Sequence, residues 1–132
     1  MGKRCTSNFK VISWEPQPYD EPEKGATLYR TDLKKVFSGA LEAESTVCML
    51  SCESEDGKGY VATERITGRL GERFGSFVVQ HGGAMEGDKL VETFGYIVPG
   101  SGTDELRGLK GRCSFEHTEQ AALFHLDYEF EA

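Results

Sequence analysis

The chain has little of what marks several large protein classes. It has no long apolar run, no stripe of Lys and Arg, and no Cys-x-x-Cys pair. "MGKRCTSNFKV" starts basic, but no apolar core follows it, so the segment reads as neither a signal peptide nor a membrane span, and a cytoplasmic location is the default expectation. Lys3 and Arg4 directly after Met1-Gly2 leave no myristoylation signal. Basic residues are thinly spread and the formal net charge is −7. A phosphate backbone or an anionic bilayer would be repelled, so nucleic acid and membrane are not expected partners. The four cysteines are Cys5, Cys48, Cys52 and Cys113. On a strand, Cys48 and Cys52 would share a face about 13 Å apart, too far for a disulfide or a shared metal. Reduced thiols are expected.

The 132 residues are enough for one domain with a buried core, and the 38% apolar and 28% charged fractions are those of a globular protein. The sixteen glycines are scattered without period. Short strands joined by tight turns explain them best.

Stretches rich in β-branched and aromatic residues recur along the chain. "NFKVISW" (8–14) alternates. "EPQPYDEPEKG" (15–25) holds three of the four prolines and predicts a long surface loop. Segments 26–39 and 40–52 flank a Ser38-Gly39 turn, and "ESEDGKG" (53–59) carries an Asp-Gly turn signal. "YVATERITGRL" (60–70) and "RFGSFVVQH" (73–81) form the clearest hairpin, with Gly71 at its bend. "GGAMEGDK" (82–89) predicts a loop, and strands follow at 90–98, 111–117 and 122–130. The fold class is all-β: eight antiparallel strands in an up-and-down barrel, which hides the sheet edges. A two-sheet sandwich is the alternative.

The glycine-rich "VPGSGTDELRGLKG" (98–111) matches neither the Walker A pattern nor Gly-x-Gly-x-x-Gly. Asp104 and Glu105 would repel an anion there. A plug fits better. Ser101 or Thr103 caps one helical turn, Asp104 and Glu105 occupy its start, and Leu106 and Leu109 point into the barrel end. Gly108 and Gly111 then permit a tight return.

"ERITGRLGERFGSFVVQHGG", "YIVPGSGTDELRGLKG" and "LDYEF" resemble the bacterial domain-of-unknown-function family 3224 (DUF3224), over Phe9 to Phe130. Within that resemblance, the glycine-rich connection is similar to a turn in allene oxide cyclase and dirigent proteins. The resemblance implies an eight-stranded, allene oxide cyclase-like barrel, often oligomeric. It implies no activity, and the catalytic residues of the cyclases do not align with this chain.

Parity narrows the site. With Gly71-Glu72 as the bend, Ile66 faces Phe77, Glu64 faces Val79 and Ala62 faces His81. One face carries Tyr60, Ala62, Glu64, Ile66, Phe77, Val79 and His81, and it is the more apolar, so it should turn inward. Burying Glu64 and His81 is costly unless they are paired or wet. They are the candidate acid and base, with Tyr60, Phe77, Val79 and Tyr128 as candidate ligand contacts in the same lumen. The alternative is that Glu64 and His81 bond to each other and the lumen is filled. His125 and Asp127 alternate with Phe124, Leu126 and Tyr128, so they belong to the solvated face, and His117 ends a strand. No metal-ligand spacing appears, and no metal or cofactor is expected.

The functions expected are, in order, a module binding a small apolar molecule in the lumen, an enzyme using Glu64 and His81, of isomerase or cyclase type as the resemblance to the cyclase barrels implies, and an oligomeric structural protein with a filled core. Val61, Val78, Cys48 and Leu50 on the outer face favour a homo-oligomer.

Overall fold

The computed structural model describes residues 2–131. They form eight antiparallel strands in chain order around a closed ring. The strands are β1 (Lys3–Asp20), β2 (Thr27–Gly39), β3 (Leu41–Glu53), β4 (Gly57–Leu70), β5 (Arg73–Glu86), β6 (Lys89–Ile97), β7 (Leu109–His117) and β8 (Ala122–Phe130). Alternation explains each wall. In β2, Thr31, Leu33, Lys35 and Phe37 are buried while Asp32, Lys34 and Val36 face out. The β4–β5 register is the one parity predicts: Ile66 opposes Phe77, Glu64 opposes Val79, and Ala62 opposes His81. Gly71 turns that hairpin with φ of 61°.

Two expected loops are strands. The Glu15–Gly25 segment continues β1 as far as Asp20, with Pro16 opposite Thr31 and Pro18 opposite Tyr29. β8 pairs only Lys3–Asn8 of β1, so one edge of β1 is free beyond that point. The two prolines are two residues apart and address the same edge. A proline nitrogen turned to an unpaired edge forfeits no ladder bond. Likewise "GGAMEGDK" is mostly β5, which runs to Glu86 before turning. Gly82 sits in the strand because the Phe94 ring and the Tyr60 carbonyl occupy the space a Cβ would need.

The glycine-rich segment is a plug. Asp104–Leu106 form one 3₁₀ turn, and Leu106 and Leu109 are each 1% exposed. Thr103 holds the N-cap position without a side-chain cap bond. Its hydroxyl instead accepts from the Ser76 N–H, and its own N–H donates to the Ser76 carbonyl. Ser101 Oγ accepts from the Val78 N–H, and Glu105 accepts from the Phe74 N–H. The plug thus takes the place of a strand along β5, where β6 has ended. Above it, β6 and β7 meet in one registered pair, Tyr96 with Arg112.

The interior is layered. At the plugged end, Phe37, Ile66, Phe77, Phe124, Leu106 and Leu126 pack in one cluster. Towards the other end, Leu33, Val47 and Ala62 form a second, smaller one, with Met49 and Tyr60 against it. Strand order places Lys35, Ser45 and Glu64 between the two clusters.

Candidate functional site

Glu64 is fully buried at the centre of this polar layer. Its Oε1 accepts from Lys35 Nζ at 3.1 Å and from His81 Nε2 at 2.9 Å. Its Oε2 accepts from Ser45 Oγ at 2.6 Å. His81 Nδ1 meets the Tyr60 hydroxyl at 3.0 Å, so a continuous chain runs from Lys35 to Tyr60. Because Nε2 donates to the carboxylate, a neutral His81 ring accepts the Tyr60 proton at Nδ1, and a charged ring donates there instead. Lys35 Nζ lies 4.9 Å from the Phe9 ring centre and 4.5 Å from that of Phe115, so aromatic faces wrap the cation.

Burial alone would push the Glu64 carboxyl up. The His81 hydrogen bond, the Lys35 charge and the Ser45 hydroxyl outweigh it and hold the group below its ordinary 4.5. Burial, the Cys113 thiol and Glu64 push the Tyr60 hydroxyl up to about 12. Burial and the same carboxylate push the Cys113 thiol up to about 12. A thiol so protonated is a poor nucleophile.

Lys35 and Ser45 are the members that the sequence reading missed. A signal existed: Thr31, Leu33, Lys35 and Phe37 share one parity, and two of the four are strongly apolar. A lysine in mid-strand nevertheless reads as solvated.

The chain ends in a cup. The upper halves of β1 to β6 extend past the β7–β8 hairpin, because β8 reaches only Asn8 of β1. Residues directly opposite one another share a face. Trp14 opposes Leu33, Pro16 opposes Thr31 and Pro18 opposes Tyr29, so these β1 side chains belong to the concave wall. Trp14 is 55% exposed there, next to the Leu33, Val47 and Ala62 cluster with its neighbours Met49 and Tyr60. Trp14, Tyr29, Met49 and Tyr60 share this concave side with Thr31 and Ser51, Glu53 and Lys58 stand at its rim, and the Tyr60–His81 end of the polar chain lies below them.

The structure brings Glu64, His81 and Tyr60 together. Phe77 and Val79 have no exposed surface and belong to the packed core beneath. The expectation that Tyr128 shares the cavity is corrected: it opposes Lys3 and Gly111 and lines a groove with Leu70 and Arg73 at the plugged end. Tyr128 is four residues beyond Phe124 on the same face, roughly 13 Å along the strand. On the outer face, His125 Nδ1 bonds Thr6 at 2.8 Å and Nε2 bonds Glu116 at 2.7 Å. Asp127 pairs with Arg4 at 3.1 Å. The His117 ring stands edge-on to Phe9, with ring centres 5.7 Å apart.

No helix among the described residues is long and apolar enough to cross a membrane. No curated protein matches the chain. It is similar to the crystal structure of a protein of unknown function from the DUF3224 family of Shewanella oneidensis MR-1, with 33% identity over 100% of each chain and a TM-score of 0.88. The profile described as "Protein of unknown function (DUF3224)" matches residues 5–130. With sequence, length and barrel all in agreement, the chain belongs to the DUF3224 family.

Proposed function

We propose that this barrel binds a small, largely apolar molecule in the open cup, with the Tyr60 hydroxyl as its polar anchor. One observation carries the reading: a buried Lys–Glu–His chain ends on a part-buried phenol packed beside Met49 and the Leu33, Val47 and Ala62 cluster. A buried ion pair is no more stabilising than well-packed apolar side chains of the same volume. A role in holding a ligand's polar group accounts for its place here. Trp14 and Tyr29 offer flat faces, and Met49 offers an adaptable one.

Trp14 is the single tryptophan, so binding has a built-in reporter. Titration with apolar probes bearing one hydroxyl or carbonyl should quench or shift its emission. Tyr60→Phe should weaken that binding by about tenfold, the value of one hydrogen bond to a partly buried group. Native mass spectrometry should reveal a co-purified small molecule. Clean apo masses from several hosts, together with a Trp14 signal indifferent to every probe, would sink the proposal.

The chain of hydrogen bonds also favours a second reading, acid–base catalysis. With His81 charged and donating from Nδ1 to the Tyr60 oxygen, a bound oxygen would take the Tyr60 proton, and His81 would then pass its Nδ1 proton to the phenolate and become neutral. Under that reading Tyr60→Phe abolishes turnover of a bound ligand while leaving the melting temperature nearly unchanged. Glu64→Gln is the poorer test, since it also removes the counter-charge of a buried ammonium.

A further inference from the structure

Tyr60 opposes Ser51 on β3 and Gly83 on β5. Gly83 has no side chain to displace the tyrosine ring, whose Cε1 lies 3.4 Å from the place a Cβ would take. The ring therefore rests against β5, with its hydroxyl 3.0 Å from His81 Nδ1. What that hydroxyl can offer a ligand depends on which partner carries the proton in this bond.

The sense of the bond is set from the buried side. Glu64 is held ionised below its ordinary 4.5, so its oxygens only accept, and His81 Nε2 must donate to Oε1. Charge balance then fixes the other nitrogen. Lys35 already matches Glu64, in a pair whose side chains are 7% and 0% exposed. Both carboxylate oxygens are engaged, one by Lys35 and His81, the other by Ser45. Ala62 and Gly95 oppose His81 on the neighbouring strands, the Phe115 ring stands 4.5 Å away, and Cys113 fills the space beside Gly95. Its thiol stays protonated up to about 12, so none of these supplies a second negative charge. A charged ring would leave the layer with an unmatched buried cation, which is costly. The neutral ring has no proton on Nδ1, and Tyr60 donates to it. A phenol has one proton. With that proton committed inward, only an oxygen lone pair faces the cup.

We infer that the cup selects ligands whose polar group donates a hydrogen bond: apolar alcohols and phenols bind, while ketones, ethers and esters of the same shape bind more weakly. This rests on the binding reading and names the ligand class within it. The Thr31 and Ser51 hydroxyls on the concave side can donate or accept, so the choice falls to Tyr60. A carbonyl oxygen placed against it meets a second acceptor and loses its water without replacement. His81 is thus a positioning residue that sets specificity through Tyr60.

Two alcohol–ketone pairs with matched apolar frames, menthol with menthone and borneol with camphor, test this by titration against Trp14 emission of the full chain in mildly alkaline buffer. Each alcohol is expected to bind about tenfold more tightly than its ketone. Tyr60→Phe is expected to bring the alcohols down to the ketones and to leave the ketones within about twofold of their wild-type affinity. Nitrogen NMR of the labelled chain in the same buffer needs no ligand. It is expected to show His81 with a protonated Nε2 and a bare Nδ1, the resonance that moves in Tyr60→Phe. Ketones as tight as their alcohols overturn the inference and leave the binding reading standing. So does a protonated Nδ1, which is the state the catalytic reading needs. A Trp14 signal indifferent to all four probes removes the selection claimed here, and the binding reading then falls or survives on native mass spectrometry.

Discussion

The two ends of the barrel are built from the same alternating strands and come to opposite results. At one end Phe77, Phe124, Leu106 and Leu109 are each at most 1% exposed, and an inserted 3₁₀ turn closes the ring. At the other, Leu33, Val47 and Ala62 are buried but Trp14 above them is 55% exposed. Period-two patterning makes a face apolar without deciding whether anything covers it. Covering depends on the lengths of β6, β7 and β8 and on the plug. The polar layer lies where the sealed half gives way to the open half.

The sharpest way to break this contrast is to attack the layer between the ends. Lys35→Met should cost about 3–5 kcal/mol in chemical denaturation, because Glu64 is left as a buried charge short of its cation. Adding Glu64→Leu should recover much of that loss, since apolar replacement of a whole pair is often neutral. If Lys35→Met costs nothing, the layer is wetter than its burial indicates. Next comes the sealed end. Leu106→Ala should cost about 2–5 kcal/mol, the range for a buried leucine whose site only partly collapses.

Acid should act through the layer. The folded carboxyl of Glu64 stays ionised below its ordinary 4.5, so the unfolded chain takes up its proton first as pH falls. Stability from this group is complete above that value and declines as pH drops through it towards the lower folded one. Melting temperature against pH should show the decline, and Lys35→Met should move it to higher pH. At the alkaline side, Cys113 and Tyr60 stay protonated up to about 12 in the fold, so their contribution is lost only as pH climbs from their ordinary 9 and 10 towards that value. The open end gives the smallest effect. Trp14→Phe should change stability by no more than about 0.5 kcal/mol while removing the fluorescent reporter. A large loss would mean that Trp14 is packed and that the two ends are more alike than their exposures imply.

Much of the sealed half was legible in the sequence. The bend at Gly71 fixed the β4–β5 register, and with it the inward turn of Glu64 and His81. Leu106 and Leu109, three apart between glycines, pointed to the plug. The open half was harder to read. Pro16 and Pro18 signal loop unless it is known that β8 stops short, which is a tertiary fact. Gly82 and Gly83 signal a turn unless it is known that the Phe94 ring lies against the first and the Tyr60 ring against the second. Lys35 looked solvated because the anion that holds it comes from another strand, twenty-nine residues on. Tyr128 matched the inward parity of β8, but parity does not tell one end of a cylinder from the other.

The stitching of the ring is uneven. β1 and β8 are joined by six registered pairs, β6 and β7 by one. A hoop gives first where it is least fastened, so the β6–β7 seam should part before the β1–β8 seam, while the plug keeps the base clamped. Girth along that seam is then less firmly set than girth at the base, so backbone amides of β6 and β7 should exchange with solvent sooner than those of β4 and β5.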